Sequence, residues 1–142
     1  MTMEDQAATI LLILFAAILS SILGLERERR NNSAGLRTHM LVGVGSCLFT
    51  VLSYKAFPEG DPTRLASNII TGIGFLGAGV IFKAGDKIHD LTTAASIWAT
   101  AALGMTVGTG AWFLALGVTA VLWLILALLR RLPVRYENKR DQ

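Results

Sequence analysis

Charged residues divide this 142-residue chain into four long uncharged stretches. Ala7–Leu25 runs for 19 residues, Met40–Tyr54 for 15, Leu65–Phe82 for 18 and Leu91–Leu129 for 39. A helix that crosses a bilayer needs about 20 largely apolar residues. The first and third runs each fit one crossing, and the second does once Gly35–His39 is added. The last would make a helix of roughly 58 Å, nearly twice the hydrocarbon thickness, so it must fold back. Gly108-Thr109-Gly110 lies near its centre and is its only turn signal. The pattern therefore predicts an all-α membrane protein with about five transmembrane helices, over 7–25, 36–54, 65–82, 91–107 and 111–129. A basic tail follows over 130–142. Four helices is the alternative if the second run or the hairpin fails. The first run is read as a retained helix, because Glu4 and Asp5 precede it where a signal peptide would carry basic residues.

Composition agrees with that picture. Apolar residues make up 53% and charged residues 16%, against roughly 25% charged in a usual soluble domain. Disorder, a disulfide scaffold and a nucleic-acid module are excluded. The single cysteine, Cys47, has no partner for a disulfide and lacks the companions of a zinc site. The net charge of +3 matters less than its distribution. With the N-terminus outside and the C-terminus cytoplasmic, Arg27, Arg29, Arg30, Arg37, Lys83, Lys87, Arg130, Arg131, Arg135, Lys139 and Arg140 fall inside, and only Lys55 and Arg64 outside. Cytoplasmic loops carry the excess of Lys and Arg, so this bias supports both the orientation and the five-helix count.

The third run is rich in small residues: Gly72, Gly74, Gly77, Ala78 and Gly79. Gly72-x-Gly74-x-x-Gly77 matches a dinucleotide fingerprint as letters, but the strand and βαβ context that motif needs is missing. Small residues let helices approach closely in lipid, where burial alone does not drive them together, so this helix is expected to be central and touched on several sides. On the fourth helix Thr92, Ser96, Thr100 and Gly104 recur every four residues. These hydroxyls either bond across to the glycine-rich helix or bond back to their own helix carbonyls. Asp61-Pro62 reads as a helix start, and Asp90 is expected to cap the fourth helix in the same way. Trp98 is expected to pack mid-span, and Trp112 suits the interfacial aromatic belt.

Five segments occur in order: Gly24-Leu-Glu-Arg-Glu28, Gly35-Leu-Arg-Thr-His39, Asp61-Pro-x-Arg64, Gly72-Ile-Gly-Phe-Leu-Gly-Ala-Gly79 and Leu91-Thr-Thr-Ala-Ala-Ser-Ile-Trp98. Together they closely resemble the MgtC/SapB family of bacterial inner-membrane proteins, over about residues 20–110. The resemblance implies a multi-pass membrane domain in the bacterial inner membrane, linked to magnesium stress, to virulence and to restraint of the proton-driven ATP synthase. Many members carry a further soluble domain after the helices, and the chain's end at Gln142 is expected to leave that domain out. Asp90 stands where the family more often has glycine before Leu-Thr-Thr.

The middles of the predicted spans hold no Asp, Glu, Lys, Arg or His. A pump or carrier usually shows a buried ionisable group there. The candidates lie at the ends. Glu26, Glu28, Arg37, His39 and Asp90, with Arg27, Asp86, Lys87 and His89 nearby, form either a polar cluster at the cytoplasmic end or a set of solvated flanking charges. Asp61, Arg64 and Asn68 share roughly one helical face at the outer end, at i, i+3 and i+7. Arg64 is placed to snorkel to the interface. Asn68 either bonds a neighbouring helix or joins Thr71 in a small polar pocket. No metal site, cofactor or nucleophile–base pair is expected, and an enzyme is the class the residues support least. The expectation is a non-enzymatic protein that acts by helix–helix association in the lipid bilayer, as a homo-oligomer with a dimer as the default and with another membrane complex such as the ATP synthase. The alternative is an oligomeric transporter or channel for magnesium or protons.

Overall fold

The computed structural model describes residues 1–56, 60–84 and 87–129. Five helices follow one another: α1 (Met3–Glu28), α2 (Leu36–Lys55), α3 (Pro62–Val80), α4 (Leu91–Gly108) and α5 (Trp112–Ala127). Two short strands, β1 (Phe82–Ala84) and β2 (Lys87–His89), lie between α3 and α4. They pair antiparallel, with Phe82 opposite His89. The all-helical architecture is as expected, and this short hairpin is its one addition among the described residues. The third helix ends at Val80 rather than reaching residue 82, and Phe82 stacks on the His89 ring instead, with centroids 5.0 Å apart. The tail over 130–142 and Asp86 lie outside the described residues.

Local chemistry explains most of the helix ends. Thr2 caps α1 in a reciprocal box with Asp5, each side chain accepting from the other's backbone N–H. Asp61 caps α3 by accepting from the Thr63 backbone N–H at 2.8 Å and the Thr63 hydroxyl at 2.6 Å, with Pro62 in the first turn. These two donors hold the Asp61 carboxyl below the usual carboxylate range. Between α4 and α5 the turn falls where the glycines predict it, with Gly110 at φ +80°. Asp90 departs from its expected role. It sits left-handed at φ 61°, its side chain makes no bond to a helix N–H, and its carboxylate accepts from the Thr93 hydroxyl at 2.9 Å.

Three of the five helices, α1, α2 and α4, are long and apolar enough to cross a membrane. α5 is apolar over a shorter 16 described residues. α3 is 19 residues long but carries Arg64, Ser67, Asn68, Thr71 and four glycines, and it is not among the three.

α4 packs against each of the other helices, and α2 is held between α1 and α4. The main core brings together Ala16, Leu19 and Leu23 of α1, Cys47 and Val51 of α2, Leu103 and Val107 of α4, and Ala115 of α5. Glycine makes the α2–α4 approach possible. A Cβ on Gly104 would stand 2.3 Å from the Gly43 carbonyl oxygen, and one on Gly43 would stand 1.8 Å from the Ser20 hydroxyl of α1.

The expected central glycine helix is therefore corrected. α3 is peripheral, packed on α4 and along one edge of α2. Only Ile69 and Gly77 are buried on it. A Cβ at Gly72, Gly74 or Gly79 would meet nothing within 4 Å, and Ala78 is also exposed. Gly77 alone faces the bundle, with its would-be Cβ 3.7 Å from that of Ala94. The small residues that seat helices within this chain are on α1, α2 and α4, where a Cβ on Gly24, Gly43, Gly104 or Gly108 would stand under 3.0 Å from a neighbouring helix. Trp98 is likewise 52% exposed, beside the crevice between α3 and α4, rather than packed.

Candidate functional site

Polar side chains gather where α1 ends and α2 and α4 begin. Arg27 lies in the last turn of α1 and is only 5% exposed. Its Nη2 donates to the Asn32 side-chain oxygen at 2.8 Å and to the Thr93 hydroxyl of α4 at 2.7 Å. Thr93 in turn donates to Asp90. One hydroxyl thus joins a buried cation to the carboxylate at the start of α4. Asn32 also donates back to the Arg27 carbonyl at 3.0 Å, which fixes the loop after α1.

His39 stands one turn into α2 and is fully buried. Its Nδ1 lies 2.8 Å from the Gly35 carbonyl, and its Nε2 lies 3.0 Å from the Ser96 hydroxyl of α4. With Nδ1–H donating to the Gly35 carbonyl, Nε2 of the neutral ring is the acceptor for the Ser96 O–H. The Ser96 oxygen is also 2.8 Å from the Thr93 carbonyl, so its single proton has two acceptors in reach. His39–Ser96 and Arg27–Thr93 are cross-helix bonds one turn apart along α4.

The other expected members of this cluster do different work. Glu28 accepts from the Leu36 backbone N–H at 2.8 Å, capping the start of α2, where Gly35 has no side chain to offer. Glu26 pairs with Arg30 one turn on. Arg37 is exposed and stands outside the buried bonds. Thr92 is exposed as well. The buried line on α4 runs Thr93, Ser96, Thr100, Gly104, so the predicted stripe is offset by one residue at its start. It faces α2 rather than α3, as the Gly104–Gly43 approach shows. Thr100 bonds back to the Ser96 carbonyl at 2.8 Å.

At the opposite end, Asp61 serves as the α3 cap, while Arg64 and Asn68 are exposed along a shallow cavity of about 320 Å³. Lys55 reaches Asp5 across the ends of α2 and α1 at 2.7 Å. A larger apolar groove of about 600 Å³ separates α2 from α3, and Gly45, Gly72 and the Asn68 side chain lie along it. Among the described residues no three His, Cys, Asp or Glu side chains come together.

Arg27, Asn32 and Thr93 are the residues that sequence reasoning undervalued. Arg27 stands in a run of five charges, Glu26 to Arg30, and successive helix positions turn by about 100°, so only one of them meets α4. The signal that finds Thr93 is its spacing of three, seven and eleven residues before Ser96, Thr100 and Gly104.

These features define a helical membrane protein with a buried polar joint at one end and a lightly packed, glycine-rich helix on its flank. The chain belongs to the MgtC family, whose sequence profile matches residues 13–134. It is 40% identical over 141 residues to YhiD of Escherichia coli K12, which carries the provisional name of a magnesium transporter, covering 94% of this chain and 66% of YhiD. Protein MgtC of Brucella abortus is 44% identical over 117 residues, 82% of this chain and 49% of that protein. Protein MgtC of Salmonella typhimurium is 38% identical over 138 residues, 92% of this chain and 59% of that protein. The chain thus spans about half to two thirds of the length of these relatives. No solved structure matches it.

Proposed function

We propose that this protein is a non-enzymatic, multi-pass protein of the bacterial inner membrane, with its N-terminus outside and its C-terminus cytoplasmic. It acts in the magnesium response by binding other membrane helices through the bare face of α3. The observation that carries this reading is the groove between α2 and α3. Gly45 and Gly72 border it, a Cβ added to either would meet nothing within 4 Å beyond its own helix backbone, and Asn68 stands on the same stripe of α3, one turn before Gly72. In lipid a bare backbone stripe favours close helix contact, and an exposed amide gains by finding a polar partner. A second copy related by a twofold axis offers both at once, because each α3 presents the same stripe to the other. The link to magnesium rests on the family and on the name given to YhiD. The ATP synthase is the heterologous partner that the family resemblance suggests.

Cysteine cross-linking in native membranes tests this. Gly72→Leu, on the open stripe, is expected to abolish cross-linked dimer while leaving insertion and monomer stability intact. Undiminished dimer with Gly72→Leu overturns the reading. The rival is flux of magnesium or protons, which the name of YhiD favours. Proteoliposomes of pure protein that carry magnesium, with flux lost in Asn68→Ala, establish it instead.

A further inference from the structure

The polar joint opens into a cavity of about 500 Å³ at the start of α4, and Arg27, Asn32, Asp90, Thr92 and Thr93 supply its polar wall. Its other wall is apolar and includes Ile125 and Leu126 of α5. A second cavity of about 170 Å³ shares Thr92, Ile125 and Leu126 with the first. It continues past Ala95, Ala99 and Leu122, two turns along the seam between α4 and α5. The pair thus forms one groove about 10 Å long, polar at its mouth and apolar below. That is the shape of an amphiphile lying along a membrane helix.

The charges at the mouth narrow the class. A guanidinium and a carboxylate flank the same Thr93 hydroxyl, at 2.7 and 2.9 Å. A headgroup with a phosphate and a primary ammonium two carbons apart presents the complementary pair: its phosphate to Arg27 and Thr92, and its ammonium N–H groups to Asp90. An anionic headgroup would meet the Asp90 carboxylate unfavourably, and a trimethylated ammonium has no N–H to donate. We infer that the groove is a binding site for a zwitterionic phospholipid of the phosphatidylethanolamine type, its headgroup held between Arg27 and Asp90 and one acyl chain laid between α4 and α5.

Native mass spectrometry of the full chain, released from detergent with defined lipids at equal concentration, tests this. Phosphatidylethanolamine is expected to be retained at least fivefold over phosphatidylcholine and phosphatidylglycerol. Asp90→Asn is expected to erase the preference over phosphatidylglycerol. Ile125→Trp, which fills the apolar wall shared by the two cavities and keeps Arg27, Asp90, Thr92 and Thr93 as they are, is expected to remove the bound lipid. Equal retention of the three lipids, a preference unchanged in Asp90→Asn, or a lipid adduct unchanged in Ile125→Trp overturns the assignment.

Discussion

Replacing Gly104 with alanine tests whether the α2–α4 seam is the structural centre of the protein. The added Cβ would lie 2.3 Å from the Gly43 carbonyl oxygen and 3.0 Å from the Gly43 carbonyl carbon and Cα. All three are backbone atoms, so no rotamer change relieves them. Alanine has no torsion to adjust either. α2 has little room to retreat, because Gly43 is itself backed by Ser20 of α1. The two helices must therefore separate by about an ångström, and a gap of that size forfeits a quarter to a half of the dispersion contact along the seam. Overpacking of this kind typically costs 1–3 kcal/mol, and backbone against backbone belongs at the top of that range. Alanine's better helix propensity returns up to about 1 kcal/mol, leaving a net loss of about 2 kcal/mol. Gly72→Ala is the control. It adds the same methyl group to an open face and is expected to stabilise the monomer by about 0.5–1 kcal/mol, the helix-propensity gain alone. Steric-trap unfolding in bicelles, with the monomer isolated by dilution, measures both variants. Equal stability of Gly104→Ala and Gly72→Ala would refute the packing order assigned to α2, α3 and α4.

Three further outcomes follow from the ends of the helices. His39→Ala and Ser96→Ala are expected to couple in a double-mutant cycle of unfolding by about 0.6–1.7 kcal/mol, the range for cross-helix bonds in membranes; additive effects would break the link. Asp90→Gly is expected to be more stable than Asp90→Ala by about 1 kcal/mol, because both lose the Thr93 bond but only glycine is at ease at φ 61°; a thermal melt that ranks alanine first contradicts this. The Asp61 cap is expected to persist as pH falls through the ordinary carboxylate range and to fail only below it, since its carboxyl is lowered first by the Thr63 hydroxyl and then by the Thr63 backbone N–H. The Thr63 amide resonance reports this directly, and a midpoint at the usual carboxylate pH counts against the cap.

The helices were legible because their lengths answer to the bilayer. Charge-free runs of 18 and 19 residues, a 39-residue run with glycines at its middle, and Asp61-Pro62 before the third helix all mark helix boundaries without reference to neighbours. Two signals fell below that scale. β1 and β2 are three residues each, too short for alternation to show, and they stand at the edge of a charge-free run. The second is rotation: Thr92 and Thr93 differ by one position, about 100° on a helix, and only the neighbour chosen decides which is buried. The same holds for Arg27 among its charged neighbours. Glycine was the most misleading residue. Gly104 showed only as the end of a small-residue stripe and Gly43 carried no signal, yet together they set a backbone-to-backbone helix contact, while the conspicuous cluster on α3 is mostly bare.

That bare cluster has a physical consequence. Each glycine in a helix interior costs roughly 0.5–1 kcal/mol against alanine on the aqueous scale. At Gly43 and Gly104 the cost is offset within the chain, because any larger residue would drive α2 away from α1 or α4. At Gly72, Gly74 and Gly79 nothing within the chain offsets it, since a methyl group there would touch no other atom within 4 Å. Three such positions leave about 2 kcal/mol of helix stability unrecovered in the isolated monomer. The turn connection adds no reason for them, because α3 ends at Val80 and passes into β1 only at Phe82. Requirements of the monomer therefore account for none of the four α3 glycines, since even at Gly77 an added Cβ would stand at ordinary contact distance, 3.7 Å from that of Ala94. A surface that contacts the α3 stripe from outside the chain would recover the cost, since close backbone approach is what glycine permits and alanine or leucine would block.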